Sequence, residues 1–130
     1  MKKVIIFILL GFVAGYYFTS LFDRGFKIEI RNDTNAEISG MYLTYYTSIP
    51  NVDIPAIGAN KKYKLKVNPT EDFSETSMEL QYKDKQGRLH QETVFGYIEQ
   101  GYSGEAIVTI QLIDEEGKLQ IEVEEKISFY

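Results

Sequence analysis

The feature that most restricts the fold is a strict alternation of apolar and polar residues after position 25. In the segment KYKLKV at 62–67, Tyr63, Leu65 and Val67 alternate with three lysines. Successive side chains of a β-strand point to opposite faces, so this period of two predicts a strand with one buried face. The segments FKIEIR at 26–31, MELQYK at 78–83 and LQIEVE at 119–124 repeat the pattern. Such a chain folds into sheets rather than helices.

The same pattern, with the turns between its segments, predicts a fold class. Seven strands are expected, at 26–31, 36–46, 60–67, 77–83, 88–98, 106–112 and 119–124. The segment 47–59, with two of the three prolines, is expected to be a loop. The tetrads DKQG at 84–87 and DEEG at 114–117 predict two hairpin turns. Together these features predict an all-β, seven-stranded antiparallel β-sandwich, immunoglobulin-like in plan. A single sheet closed on itself is the alternative.

The first 25 residues have a different composition. The run VIIFILLGFVAGYYFTSLF at 4–22 has no formal charge and as a helix would be roughly 28 Å long, close to the ~30 Å bilayer core. Lys2 and Lys3 precede it, and a positive N-terminal flank keeps that end in the cytoplasm. The sequence therefore predicts a membrane anchor at 1–25, with a transmembrane helix at 4–22, and an extracytoplasmic domain at 26–130. The alternative is a signal peptide cleaved after Gly15.

Charge and cysteine content exclude several classes. The chain has 14 Lys+Arg and 19 Asp+Glu. Without Lys2 and Lys3 the remaining chain carries 12 basic and 19 acidic residues, a net charge of −7. An acidic domain repels phosphate backbones, so nucleic acid is not expected as a partner. The absence of cysteine excludes disulfides, thiolate metal sites and lipoprotein attachment.

No pattern in the sequence indicates catalysis, a metal or a cofactor, and the chain is predicted not to be an enzyme. His90 is the single histidine and is expected to be a solvated strand residue. The acidic group Asp114, Glu115 and Glu116 does not fit a calcium loop, because an EF-hand reading would place Leu112 and Val123 at ligand positions. These acids are instead expected to form a hairpin turn. We expect no metal to bind.

Two groups of residues form the candidate interaction surface. Tyrosine offers an apolar ring with a polar tip, which suits protein and glycan contacts. The tyrosines proposed for an exposed patch are Tyr42, Tyr45, Tyr46, Tyr97 and Tyr102. The row Lys62, Lys64 and Lys66 either contacts a partner or blunts a sheet edge. It could face the acidic row Glu122, Glu124 and Glu125 across the sheet.

The segments IEIRNDTNAEISGMYLTY, MELQYKDKQGRLHQE and VFGYIEQGYSGEA cover much of the part after the anchor. In them the chain resembles small membrane-anchored extracytoplasmic proteins of unknown function from low-GC Gram-positive bacteria. The resemblance implies a location at the outer face of the membrane and assigns no residue a role.

These observations favour a binding or interaction module of the cell envelope. The lipid bilayer is its expected partner through the N-terminal helix, together with another envelope or membrane protein. An envelope enzyme that uses a carboxylate pair is one alternative. An accessory subunit of a membrane complex is the other, because Gly11 and Gly15 in GFVAG would allow close helix packing.

Overall fold

The computed structural model describes residues 25–45, 50–68 and 75–128. Within these ranges the chain forms strands and turns and contains no helix. The strands are β1 Phe26–Asn32, β2 Tyr42–Thr44, β3 Val52–Asp53, β4 Lys62–Val67, β5 Thr76–Lys83, β6 Leu89–Ile98, β7 Ser103–Ile113 and β8 Leu119–Ser128. The prediction of an all-β chain is confirmed for this part.

The eight strands form two sheets of four. The first sheet has the order β4-β1-β7-β8, and the second sheet has the order β3-β2-β5-β6. All neighbouring pairs are antiparallel except β1 and β7, which run parallel. The hairpins β5–β6 and β7–β8 are confirmed as predicted.

One apolar core lies between the sheets. Alternate residues of β1, Phe26, Ile28 and Ile30, are buried while their neighbours face outward. The ring of Phe26 in the first sheet lies 5.1 Å, centroid to centroid, from that of Phe95 in the second. Apolar side chains from both sheets join the same cluster. The alternation therefore buries one face of each sheet, as the sequence predicted.

The strand count and order differ from the prediction. The predicted strand at 36–46 shortens to β2 with an isolated bridge from Ile38 to Ile57, and the predicted loop at 47–59 contributes β3. In the immunoglobulin plan the first strand pairs with the second. Here β1 pairs with β4 and β7 instead. Because residues 33–41 carry the chain from the first sheet to the second, β1 and β2 cannot form a hairpin. The two-layer part of the prediction holds, but the seven-stranded, fully antiparallel immunoglobulin plan is wrong.

A buried polar group fixes this crossover. The side-chain amide of Asn32 donates to the carbonyls of Ala36 at 2.8 Å and Ile57 at 3.0 Å. Its oxygen accepts from the backbone N–H and the hydroxyl of Thr34, at 3.0 and 2.6 Å. Asn32 has no exposed surface. Buried polar groups need such partners, so this network holds the turn that follows β1 against the segment around Ile57.

The two predicted hairpin turns pack against each other. Oδ1 of Asp84 accepts from the N–H groups of Gln86 and Arg88, and Oδ1 of Asp114 makes the equivalent bonds in the second turn. Gly87 and Gly117 have φ angles of 80° and 84°, which glycine adopts without strain. A backbone hydrogen bond of 2.9 Å joins Lys85 of one turn to Glu116 of the other. Both turns therefore lie at the same end of the domain.

One predicted facing is wrong. In the strand predicted at 106–112, strict alternation would place Leu112 on the same side as Ile110, but Ile110 is buried and Leu112 is 60% exposed. The pairing of β7 with β8 shifts register between these two residues. A β-bulge inserts one residue and reverses the facing of the residues after it, so Ile113 packs against the core instead.

Among the described residues, no helix is long and apolar enough to cross a membrane. The transmembrane helix predicted at 4–22 lies outside the described residues.

Candidate functional site

The lysine row lies on an edge strand. β4 pairs with β1 on one side, and no described strand pairs with its other side. Lys62, Lys64 and Lys66 are all exposed and alternate with residues that pack toward the core. We call this row the basic edge. The structure thus places the lysine row at an edge of the first sheet, and its contact with a partner stays a prediction.

The basic edge continues into the outward face of the first sheet. Strand pairing aligns Lys64, Glu29, Ile107 and Glu124 in one row across the four strands. A parallel row contains Lys62, Arg31, Thr109 and Glu122, and another contains Lys66, Lys27, Glu105 and Lys126. We call the surface formed by these twelve residues the outer face.

Glu29 is the carboxylate that Lys62 and Lys64 of the basic edge approach. Its Oε2 accepts a 2.7 Å hydrogen bond from Nε of Arg31. Its Oε1 lies 3.7 Å from Nζ of Lys62 and 3.8 Å from Nζ of Lys64. Only 14% of the Glu29 side chain is exposed. Burial raises the pKa of Glu29, but the Arg31 hydrogen bond and the three nearby cations outweigh it, so the net pKa is lowered. Glu29 therefore remains ionised.

A groove runs along the outer face beside the basic edge. Its volume is about 490 Å³, and its rim includes Lys27, Lys64, Lys66 and the carboxylates of Glu29 and Glu105. Its lining is mainly apolar, and Ile107 contributes to it. A smaller depression of about 230 Å³ adjoins it at Ile107 and extends toward Glu124. The arrangement offers an apolar strip flanked by cations at an open strand edge.

The outer face is divided by charge. Four lysines and Arg31 lie on β4 and β1 around the single carboxylate of Glu29, whereas Glu105, Glu122 and Glu124 lie on β7 and β8 with the single cation of Lys126. The prediction that the lysines would face the acidic row is wrong, because β4 and β8 form opposite edges of the sheet. Lys62 and Lys64 approach Glu29 of β1 instead.

The four described tyrosines of the predicted patch do not lie together in one patch, and none of these four joins the basic edge. Tyr42 is half-buried on β2 and Tyr97 is 44% exposed on β6, both in the second sheet. Tyr42 aligns with Gln81 and Gln91, which places it roughly 20 Å along the strands from Tyr97. The Tyr97 ring lies 6.1 Å from the Tyr102 ring, centroid to centroid.

The other two tyrosines are not available as predicted. Tyr45 belongs to the buried core, so the prediction that it is exposed is wrong. Tyr46 lies outside the described residues. The hydroxyl of Tyr97 donates to Glu99. That hydrogen bond, together with burial and the nearby Glu75 carboxylate, raises the pKa of Tyr97.

Sequence reasoning missed Glu29 and Ile107. Both signals were present, because the alternation that buries Ile28 and Ile30 turns Glu29 outward, and the alternation that buries Ala106 and Val108 turns Ile107 outward. An apolar residue on the polar side of a strand is the mark that could have located the groove.

His90 is less solvated than predicted. Its Nε2 lies 2.9 Å from Oδ2 of Asp84, and its ring stacks on Tyr82 with centroids 5.1 Å apart. The Tyr82 hydroxyl accepts a 2.9 Å hydrogen bond from the N–H of Leu119 on β8. The His90 contact is the main reason that the pKa of Asp84 is lowered. The hydrogen bond between Tyr82 and Leu119 links the first hairpin to the second. The described residues contain no group of three His, Asp or Glu placed to hold a metal ion.

Fold and site together define a two-sheet all-β domain with a basic strand edge. No protein-family model matches the sequence, and no curated protein matches it. Among solved structures, the chain is similar to the NMR structure of a protein from Eubacterium rectale. The TM-score is 0.48 and the identity 11%, over 78% of this chain and 89% of that one. The resemblance to anchored Gram-positive proteins stays a prediction.

Proposed function

We propose that the chain is a non-enzymatic interaction module of the cell envelope, which binds a partner protein by adding an extended strand to the basic edge. Residues 4–22 anchor it in the cytoplasmic membrane, and the β domain lies outside. The observation that carries the proposal is the outer edge of β4, which no described strand covers and where Lys64 and Lys66 border the groove along Ile107.

Strand addition suits this edge. An edge strand presents unpaired N–H and C=O groups that can bond to an incoming strand, and side-chain pockets select its sequence. The lysines would pair with acidic residues at alternate positions of the incoming strand. Apolar side chains near the edge would contact the groove. The partner segment is therefore extended and acidic at every second residue.

The charge state of Glu29 favours binding over acid-pair catalysis. A carboxylate pair in hydrolysis needs one member with a raised pKa to act as general acid. Glu29, one of the two carboxylates in the groove, has its pKa lowered by the surrounding cations. It is suited to holding lysine side chains in position rather than to donating a proton.

Site-specific photo-crosslinking tests the proposal. A photoreactive residue replaces Lys64 in the full chain, expressed in the cells that produce the protein, and Gln91 on the exposed side of β6 is the control position. We expect an adduct from position 64 that is lost when Lys62→Glu and Lys66→Glu are added, and none from position 91. No adduct at 64, or equal adducts at both positions, would contradict the proposed binding edge.

The orientation of the anchored chain can be tested by cysteine labelling. The natural chain has no cysteine, so an introduced cysteine provides the single thiol. Leu89 is 53% exposed, so a Leu89→Cys variant offers a single accessible thiol. A membrane-impermeant maleimide should label it in intact cells, whereas Lys3→Cys should react only after lysis. Labelling of Leu89→Cys only after lysis would refute the extracytoplasmic location.

A further inference from the structure

The two edges of the first sheet carry opposite charges on the same face. β4 presents Lys62, Lys64 and Lys66, and β8 presents Glu122 and Glu124 at the opposite edge. The rows across the sheet place all five side chains on the outer face. One copy therefore offers both a basic edge and a matching acidic edge.

Strand direction decides which edges of two copies can meet. β4 and β8 both run antiparallel to β1, because β1 is parallel to β7 and β7 is antiparallel to β8. Copies placed side by side in the same orientation would pair β4 with β8 in parallel. Two-fold pairing of β4 with β4 would set lysines opposite lysines, which is unfavourable, so the basic edge needs a different strand as its partner.

We infer that the strand that adds to the basic edge is β8 of a second copy of this chain, so that copies associate head to tail into a continuous sheet. This inference rests on the proposed function and names its partner. An offset of two residues keeps every side chain on its face. It sets Lys64 beside Glu122 and Lys66 beside Glu124, and it moves Lys126 away from Lys66.

The acidic edge has the form that such pairing needs. Glu122 and Glu124 alternate with Ile121 and Val123, which pack against the core. Glu125 instead turns toward the second sheet, where its carboxylate accepts a 3.3 Å hydrogen bond from the N–H of Gly96. The carboxylates of Glu122 and Glu124 thus remain on the outer face, while the carboxylate of Glu125 bonds to β6.

Charge reversal gives a test with internal rescue, read by sedimentation of the full chain in detergent at low salt. Lys62→Glu, Lys64→Glu and Lys66→Glu together give one variant, with both edges acidic. Glu122→Lys and Glu124→Lys give the other, with both edges basic. Each variant alone should sediment as a monomer. An equimolar mixture, or one chain carrying both sets, should associate again, because opposite charges then face each other.

The association of the natural chain should weaken at ~1 M salt, where screening extends over only about 3 Å. A mixture is informative only when both variants are folded, so each is checked by its thermal melt. Rescue cannot arise from a general effect on stability. A natural chain that stays monomeric at every concentration, or variants that associate as it does, would overturn the inference and leave the lysines as protection of the edge.

Engineered disulfides test the pairing of β4 with β8 between chains that remain anchored in the membrane. The chain has no cysteine, and a disulfide needs Cα atoms within about 7 Å. A Lys64→Cys, Glu122→Cys chain should form a ladder of covalent multimers on mild oxidation, whereas either single variant should not. The absence of a ladder would overturn the inference. A crosslinked adduct at position 64 with a different protein would then preserve the proposed function, whereas no adduct would remove both.

Discussion

Nζ of Lys64 lies 3.8 Å from Oε1 of Glu29 across the β4–β1 pair. This contact couples the basic edge to the interior of the first sheet, since Glu29 also approaches Lys62 and accepts from Arg31. One carboxylate thus offsets part of the charge of three cations. Removing its charge should leave the edge more basic without changing the core.

The first prediction follows from that relationship. Glu29→Gln should strengthen binding of an extended peptide of alternating Glu and Val residues by roughly 2- to 5-fold at low salt, as expected for one exposed charge pair. Fluorescence anisotropy measures the dissociation constant for the full chain. Glu37→Gln makes the same charge change in an exposed loop and is the control. Equal effects of the two substitutions would show that net charge, not the edge, determines binding.

The second prediction concerns the crossover at Asn32. Asn32→Ala would leave the carbonyls of Ala36, Ile57 and Gly58 without their side-chain donor. Unpaired buried polar groups cost about 1–3 kcal/mol each, so the free energy of unfolding should fall by at least ~2 kcal/mol. Asn35→Ala, at an exposed position in the same turn, should change it by less than about 0.5 kcal/mol. Urea unfolding followed by tyrosine fluorescence compares them, and similar losses would rule out the network.

The third prediction is a pH dependence at the first hairpin. The hydrogen bond with His90 is the main cause of the lowered pKa of Asp84. A carboxylate with a lowered native pKa contributes stability above its ordinary pKa, and that contribution is lost as the pH falls through the native value. The melting-temperature gap between the natural chain and Asp84→Asn should therefore be widest above about pH 5 and narrow toward about pH 2.

A double-mutant cycle isolates this contact. Asparagine keeps the oxygen that caps the turn, so Asp84→Asn mainly removes the charge facing His90. In a chain that already carries His90→Ala, the melting-temperature difference caused by Asp84→Asn should become smaller at neutral pH. A melting-temperature difference that is constant with pH, or unchanged by His90→Ala, would show that Asp84 stabilises the chain only through its hydrogen bonds in the turn.

The sequence predicted the fold best where one face of a strand is buried. The alternation at 62–67 located β4 and its lysines, and the Asp-x-x-Gly tetrads located both hairpins. The sequence-based prediction failed where pairing between distant segments determines the strand order. The parallel contact of β1 with β7 joins segments more than 70 residues apart, and no local pattern encodes which distant strands meet. The bulge before Leu112 arises in the same way, from the fit of β7 to β8.

The candidate site was predicted in part for a related reason. Lysines on a strand mark an edge through composition alone. Composition could not predict whether the tyrosines form an exposed patch, because tyrosine is also common at buried strand positions. Tyr45 is buried and Tyr42 lies far along the sheet from Tyr97. The groove depends on which outward residues of β1, β4 and β7 become neighbours, which only the register between strands determines.

Hydrogen–deuterium exchange at β4 tests the central proposal, strand addition at the basic edge, most directly. Exchange is compared between the full chain at a dilution where it is monomeric and the same chain in membranes of the cells that produce it. Amides of 62–67 that do not bond to β1 should exchange at least about tenfold more slowly in the membranes, because a partner strand then accepts from them. The edge amides of β6 should be unchanged. Equal exchange at 62–67 in both states, or protection at β6 alone, would contradict the account.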